Sequence, residues 1–254
     1  MVAQLKTPST VADVATVTAA SKPSAVTAFI YVPNDAAESA LWKCNHEMDD
    51  LEGQKLVVLQ IVALNSTACT DGMVPIEQVK PAKALQFRSV IVNQVRRLPA
   101  LPHLATDFES VTVSQVNTTD SGFESFLSAC MESKALKNLR LMSMTLTKKL
   151  REAFHRRFFA YDLEELRMRE VHYDGFLFGI GNVLVTRAMQ HWVEAKSPVL
   201  RKLELETQGK VEMREKVLKN LPNKIRATIG IYEAATVETK CKYPIWKFQF
   251  EVSK

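Results

Sequence analysis

Leu136-Lys137-Asn138-Leu139-Arg140-Leu141 sets apolar side chains at the first, fourth and sixth places of a hexad. In an extended chain successive side chains point to opposite faces. Leu139 and Leu141 then look one way, and Asn138, Arg140 and Met142 the other. The spacing returns at Leu56-x-x-Leu59-x-Ile61, Phe87-x-x-Val90-x-Val92 and Phe108-x-x-Val111-x-Val113. It comes again at Leu163-x-x-Leu166-x-Met168 and Leu200-x-x-Leu203-x-Leu205. First positions are separated by 31, 21, 28, 27 and 37 residues. A strand-plus-helix unit of the leucine-rich type occupies roughly 20–29 residues. The expectation is an α/β fold, an irregular leucine-rich-repeat-like solenoid of short strands and helices. One such unit cannot bury its apolar face alone, whereas stacked units share a continuous core.

Helical stripes fall between the later hexads. Phe123, Phe126, Leu127 and Cys130 follow Asp120 or Ser121 as a cap. Leu150, Phe154, Phe158 and Tyr161 form a second stripe, and Leu184, Ala188, Trp192 and Ala195 a third that closes at Ser197-Pro198. Val26–Val32 reads as a first strand, and Asn34 or Asp35 as the cap of a helix through Ala40 and Trp42 towards Met48. Ile229 and Ile231, then Trp246, Phe248, Phe250 and Val252, alternate with polar residues around a loop holding Lys240, Lys242 and Pro244. That is a strand pair, suited to capping the stack. Residues 1–24, rich in Ala, Thr, Val and Ser, read as a flexible leader. The domain is then 25–254, with repeats over about 56–224 and the cap over 225–254.

Composition narrows the function. With 46% apolar and 24% charged residues, the chain has the make-up of an ordinary folded domain. A net charge of +5 over 254 residues is far short of the dense basic face of a dedicated nucleic-acid binder. Cys44, Cys69, Cys130 and Cys241 form no Cys-x-x-Cys pair and the five histidines no metal spacing, so neither metal nor cofactor is expected. Asn65-Ser66-Thr67 and Asn117-Thr118-Thr119 match the glycosylation sequon, which acts only in a secreted chain. Leu56–Leu64 is too short to span a bilayer and contains Gln60, so no membrane is expected and an intracellular setting, cytoplasmic or nuclear, is.

Residues that could carry chemistry have plainer readings. Cys44, His46 and Glu47 sit together, but on a helix Cys44 and His46 point about 200° apart and cannot form a nucleophile–base pair. Gly175-x-x-x-Gly179-Ile180-Gly181 lacks both phosphate-loop and dinucleotide spacing, and reads as a rim loop offering Phe176 and Phe178 as anchors. Lys148, Lys149, Arg151, Arg156 and Arg157 could grip phosphates, with Phe154 and Phe158 on the opposite, core-facing stripe.

Gly181 to Val193, containing Asn182 and ending His191-Trp192-Val193, is followed by Pro198-Val199-Leu200-Arg201-Lys202-Leu203-Glu204-Leu205. This run resembles nematode F-box-associated domains, which place a polar cap, an apolar helix ending in a His-Trp-Ile-like triplet, a proline and a leucine-rich strand in that order. Asn182 stands at the cap, and Phe248 to Val252 is similar to the family's last strand. The resemblance covers about 100–252. It implies an irregular leucine-rich fold that captures targets for a ubiquitin ligase. The F-box, which opens with a Leu-Pro pair and grips a Skp-type adaptor, has no counterpart before Leu51. Leu98-Pro99 and Leu101-Pro102 read as turns between hexads.

The expected function is therefore non-enzymatic binding of an unknown protein target, with no catalytic residue. The contact residues are the outward strand positions: Asn138, Arg140 and Met142; Glu165, Arg167 and Arg169; Lys202, Glu204 and Glu206; with Phe176 and Phe178 on the rim. Their alternating charge suits a specific polar partner. A basic nucleic-acid-associated protein is the second reading, and an enzyme with an unrecognised site the third.

Overall fold

The computed structural model describes residues 27–33, 40–44, 56–63, 72–75, 78, 87–98, 107–160, 162–173, 176–177, 181–195, 198–208, 225–235 and 242–252. The leader 1–24 lies outside them. In chain order the elements are β1 (Thr27–Val32), β2 (Leu41–Cys44), β3 (Leu56–Ala63), β4 (Val74–Pro75), β5 (Phe87–Asn93) and β6 (Ser110–Ser114). Then come α1 (Ser121–Glu132), β7 (Asn138–Thr145), α2 (Lys148–Phe159), β8 (Glu165–Tyr173), β9 (Phe176–Leu177) and α3 (Gly181–Glu194). The chain closes with β10 (Lys202–Gln208), β11 (Ile225–Ala235) and β12 (Lys242–Val252).

Among the described residues the strands make one 12-stranded sheet, in the order β11-β12-β10-β8-β7-β6-β5-β3-β1-β2-β4 with β9 beside β8. Every pairing from β1 through β3, β5, β6, β7 and β8 to β10 is parallel. The fold is α/β with a mostly parallel sheet, and the parallel strands are laid down in sequence without doubling back.

Register explains the hexads. Ala28, Leu59, Val90, Val111, Leu139, Leu166, Leu203 and Phe250 stand side by side in one column. Ile30, Ile61, Val92, Val113, Leu141, Met168, Leu205 and Phe248 make the second column. No member of either column is more than 2% exposed. Burying each large side chain contributes about 1.5–3 kcal/mol, so the columns are the main cohesive element. The first hexad residues Phe108, Leu136, Leu163 and Leu200 lie just ahead of their strands and are also buried.

The apolar pattern runs one residue further than the hexad. Val95, Val116, Met144 and Val171, each three places after the last hexad position, are buried as well. Strict alternation would turn them to the other side. The residue two before each of them faces outward, and the residue between is left-handed: Gln94, Gln115, Ser143 and Glu170 have φ of 56°, 52°, 48° and 50°. Register sets these four in neighbouring positions, because Asn93, Ser114, Met142 and Arg169 before them are paired. Such a conformation costs about 1–3 kcal/mol in a non-glycine residue. Hydrogen bonds offset it. Gln94 N donates to the Ser114 carbonyl at 3.0 Å and Gln115 N to the Met142 carbonyl at 3.1 Å. Gln94 Nε2 donates to Gln115 Oε1 at 2.9 Å, and Ser143 Oγ to Glu170 Oε2 at 2.5 Å.

The helices fall where the stripes place them. Asp120 caps α1, its Oδ1 accepting from Phe123 N at 2.8 Å and from Leu98 N at 3.0 Å, which ties the helix to the chain leaving β5. Thr147 caps α2 through Leu150 N and donates its hydroxyl to Glu124 of α1, so the two packed helices share a polar link. In α3, Leu184, Val185, Ala188 and Trp192 are buried, and Trp192 Nε1 donates to the Leu200 carbonyl at 2.7 Å. Its ring lies 5.4 Å from that of Phe250. Asn182 falls inside the first turn of α3 rather than ahead of it.

Two expectations need correction. Leu41–Cys44 is a strand, not part of a helix, because its backbone pairs with β1 on one side and, through Leu41 and Trp42, with β4 on the other. Sheet pairing outweighs the weak local helix signal there. Residues 34–39 and 45–50 lie outside the described residues, and so does Tyr161. Pro244 belongs to β12, paired with Glu233, rather than to the loop. The strand pair itself forms as the alternation predicts.

A Cβ on Gly122 would come 2.4 Å from the Leu98 carbonyl oxygen. Gly122→Ala should destabilise the fold by about 1–3 kcal/mol, read as a lower midpoint in denaturant unfolding. Trp192→Phe keeps the ring but strands the buried Leu200 carbonyl, and should cost about 1–3 kcal/mol in the same measurement.

Candidate functional site

The face of the sheet opposite the columns carries a patterned polar surface, and register sets its rows. Ser110, Asn138, Glu165, Lys202, Glu251 and Arg226 form one row across six strands. Thr112, Arg140, Arg167, Glu204, Gln249 and Thr228 form the next. Met142 pairs with Arg169 in a third, and Glu206 lies one step past the Leu205–Met168 pair on that side. The nine strand positions expected to make contacts are thus brought together on one face.

Ion pairs lace the rows. Arg140 Nε lies 3.0 Å from Glu165 Oε1, and Arg167 Nε lies 2.5 Å from the same oxygen. Arg167 also approaches Glu204 at 3.9 Å, while Arg169 Nε and Lys247 Nζ reach Glu204 Oε1 at 2.6 and 3.3 Å. Lys202 and Glu251 pair at 3.4 Å on the rim. Exposed pairs of this kind contribute little each. Glu204 is different, because it points outward yet is only 6% exposed. Burial alone would push its carboxyl up. Hydrogen bonds from Arg169, Gln249 and Lys247, with the Arg169 charge, outweigh burial and hold it below the usual carboxylate range. Glu206 is also buried, and its Oε2 accepts from Glu170 N at 3.1 Å. These two carboxylates therefore organise the face from within, whereas Arg140, Arg167, Arg169 and Lys202 keep more exposed side chains on it.

Phe176 contributes backbone to β9, where it pairs with Tyr173. Phe178, Gly175, Gly179 and Ile180 lie outside the described residues, as do Asn45, His46 and Glu47 beside the strand residue Cys44. Lys247, Gln249, Glu251, Arg226 and Thr228 complete the rows and were not foreseen as site residues. The alternation of Trp246 to Val252 could have located the first three, since it turns Lys247, Gln249 and Glu251 away from the core.

The basic run of α2 is not an open phosphate grip. Lys149 pairs with Glu124 at 3.8 Å and Arg156 with Glu132 at 3.1 Å. Arg157 is buried, reaching Asp162 at 2.9 Å and the Leu136 carbonyl, so it belongs to the packing rather than to a solvated face. The Arg151 guanidinium lies 3.9 Å above the Tyr173 ring. Phe154 and Phe158 are buried, as their stripe predicts, and only Phe159 of the three is exposed. Burial, with Arg151 nearby, holds His155 below the ordinary imidazole range. Burial pushes the Cys130 thiol far up, which leaves it unreactive. Among the described residues no His, Cys, Asp and Glu cluster fits a metal, and no helix is long and apolar enough to cross a membrane. Compared with family models, characterised proteins and solved structures, the chain gives no significant match.

Glu204 links the face to pH. Its folded pKa lies below the unfolded carboxyl value of 4.5, so its contribution to stability is complete above that value and is lost as pH falls through the folded one. Glu204→Gln should destabilise by about 1–3 kcal/mol at neutral pH. Urea titrations at several pH values should show the gap to the parent protein closing as pH drops below 4.5.

Proposed function

We propose that this chain is a non-enzymatic protein-interaction module, a leucine-rich-repeat-like solenoid whose polar sheet face captures a protein partner. The observation that carries the reading is the registered row Arg140–Arg167–Glu204 on parallel strands, with Glu165 of the neighbouring row bridging its two arginines. A surface of fixed charge order selects among partners more than it adds raw affinity. The repeat supports the architecture. A leucine-rich unit reads L-x-x-L-x-L-x-x-N/C-x-L, and here its ninth place holds Val95, Val116, Met144 or Val171. The left-handed residue just before that place bonds to the neighbouring unit at Gln94 and Gln115.

The resemblance of Gly181–Val193 and Pro198–Leu205 to F-box-associated domains extends the reading to target recognition for a ubiquitin ligase. The Trp192–Leu200 bond gives the helix–proline–strand order a packing role consistent with it. Catalysis, metals and cofactors have no part in this reading.

Affinity purification tests it. The parent protein should recover a stable protein partner, and Arg140→Ala/Met142→Ala should weaken that capture by about tenfold with thermal unfolding unchanged. A partner held equally well by the double variant would overturn the assignment to this face. Co-recovery of a Skp-type adaptor and cullin would support the ligase setting, and a partner recovered without them would restrict the function to capture.

A further inference from the structure

A hollow of about 270 Å³ opens on the polar face where β8, β10, β12 and β11 meet. Four cations line it, Arg167, Arg169, Lys202 and Arg226, against two carboxylates, Glu204 and Glu251. Glu204 is already surrounded by Arg169, Arg167 and Lys247, so it has little left to offer a ligand and instead fixes the guanidinium groups in place. Glu251 faces Lys202 at 3.4 Å. Arg226, its register neighbour on β11, is exposed, with no carboxylate at ion-pair distance among the described residues. The hollow therefore holds a surplus of positive charge on strands that cannot shift independently. The Thr228 hydroxyl beside it could bond a peptide carbonyl.

We propose that this hollow binds an acidic, extended peptide segment of the protein partner, with its carboxylates held by Arg226 and Lys202 at one end and Arg167 at the other. Guanidinium groups match carboxylates two bonds at a time, and the sheet fixes the backbones that carry them, which lowers the ordering cost. Three strand spacings of about 4.8 Å and an offset of two residues along the strands separate the backbones of Arg167 and Arg226, about 16 Å in all. An extended peptide rises about 3.4 Å per residue, so acidic side chains four residues apart span about 14 Å, and the reach of the arginine side chains covers the rest. The inference rests on the capture reading above and adds to it the chemistry of what is captured.

Selection from a random 12-residue peptide library displayed on phage tests it directly. Peptides retained by the parent protein should be enriched in Asp and Glu, with pairs four apart. A labelled peptide from that pool should bind Arg226→Gln/Lys202→Gln about tenfold more weakly in fluorescence anisotropy, and should lose affinity as salt is raised. Circular dichroism melting checks that the variant keeps its fold, and Arg226→Lys should restore part of the binding. Neutral or basic selected peptides, no selected peptides, or acidic ones that bind the variant equally well would each overturn the proposal. So would a single-stranded oligonucleotide that binds the parent protein more tightly than the selected peptide. The variants used for partner capture lie on β7, one strand outside the hollow, so a partner lost with Arg140→Ala/Met142→Ala but insensitive to Arg226→Gln/Lys202→Gln would leave the capture reading intact.

Discussion

Everything in this molecule depends on two apolar columns staying in line across successive parallel strands. Because side chains alternate, a slip of one residue in any strand would carry its inward pair to the polar face and its polar pair into the core. The columns therefore fix the register, and the register fixes the rows of charge on the opposite side. Arg140, Arg167 and Glu204 fall in one row because Leu139, Leu141, Leu166, Met168, Leu203 and Leu205 are locked behind them.

That separation of tasks accounts for the two kinds of carboxylate. Glu165 and Glu204 each serve more than one guanidinium, which keeps like charges such as Arg140 and Arg167 in adjacent strands without net repulsion. A buried charge without such partners would cost several kcal/mol. With them, Glu204 is the point where the core-facing order of the sheet is converted into an order of charges.

Much of this was legible in the sequence. The hexads located the strands β3, β5, β6, β7, β8 and β10, and three stripes located the helices, because burial imposes periods that residues display directly. The outward positions followed from the same alternation. What stayed hidden has physical causes. Gln94, Gln115, Ser143 and Glu170 are not residue types that signal a left-handed backbone, so the extra buried position after each hexad could not be read. β2 was mistaken for helix because its identity is set by pairing with β1 and β4, not by its own four residues. The alternation of β12 marks Lys247 and Gln249 as outward, but the part of Arg226 was missed because β11 reaches the polar face by reversing direction against β12, a long-range event with no local mark.

That reversal makes the two ends of the sheet unlike. At one end the sheet tapers to the two residues of β4, a stub too short to template another chain. At the other it finishes on the eleven residues of β11, for which the described residues supply no outer neighbour. Long open edges are where sheets grow. Any strand paired with β11 would lengthen each charged row by one more member, so the length of the rows and the pairing of that edge are the same structural variable.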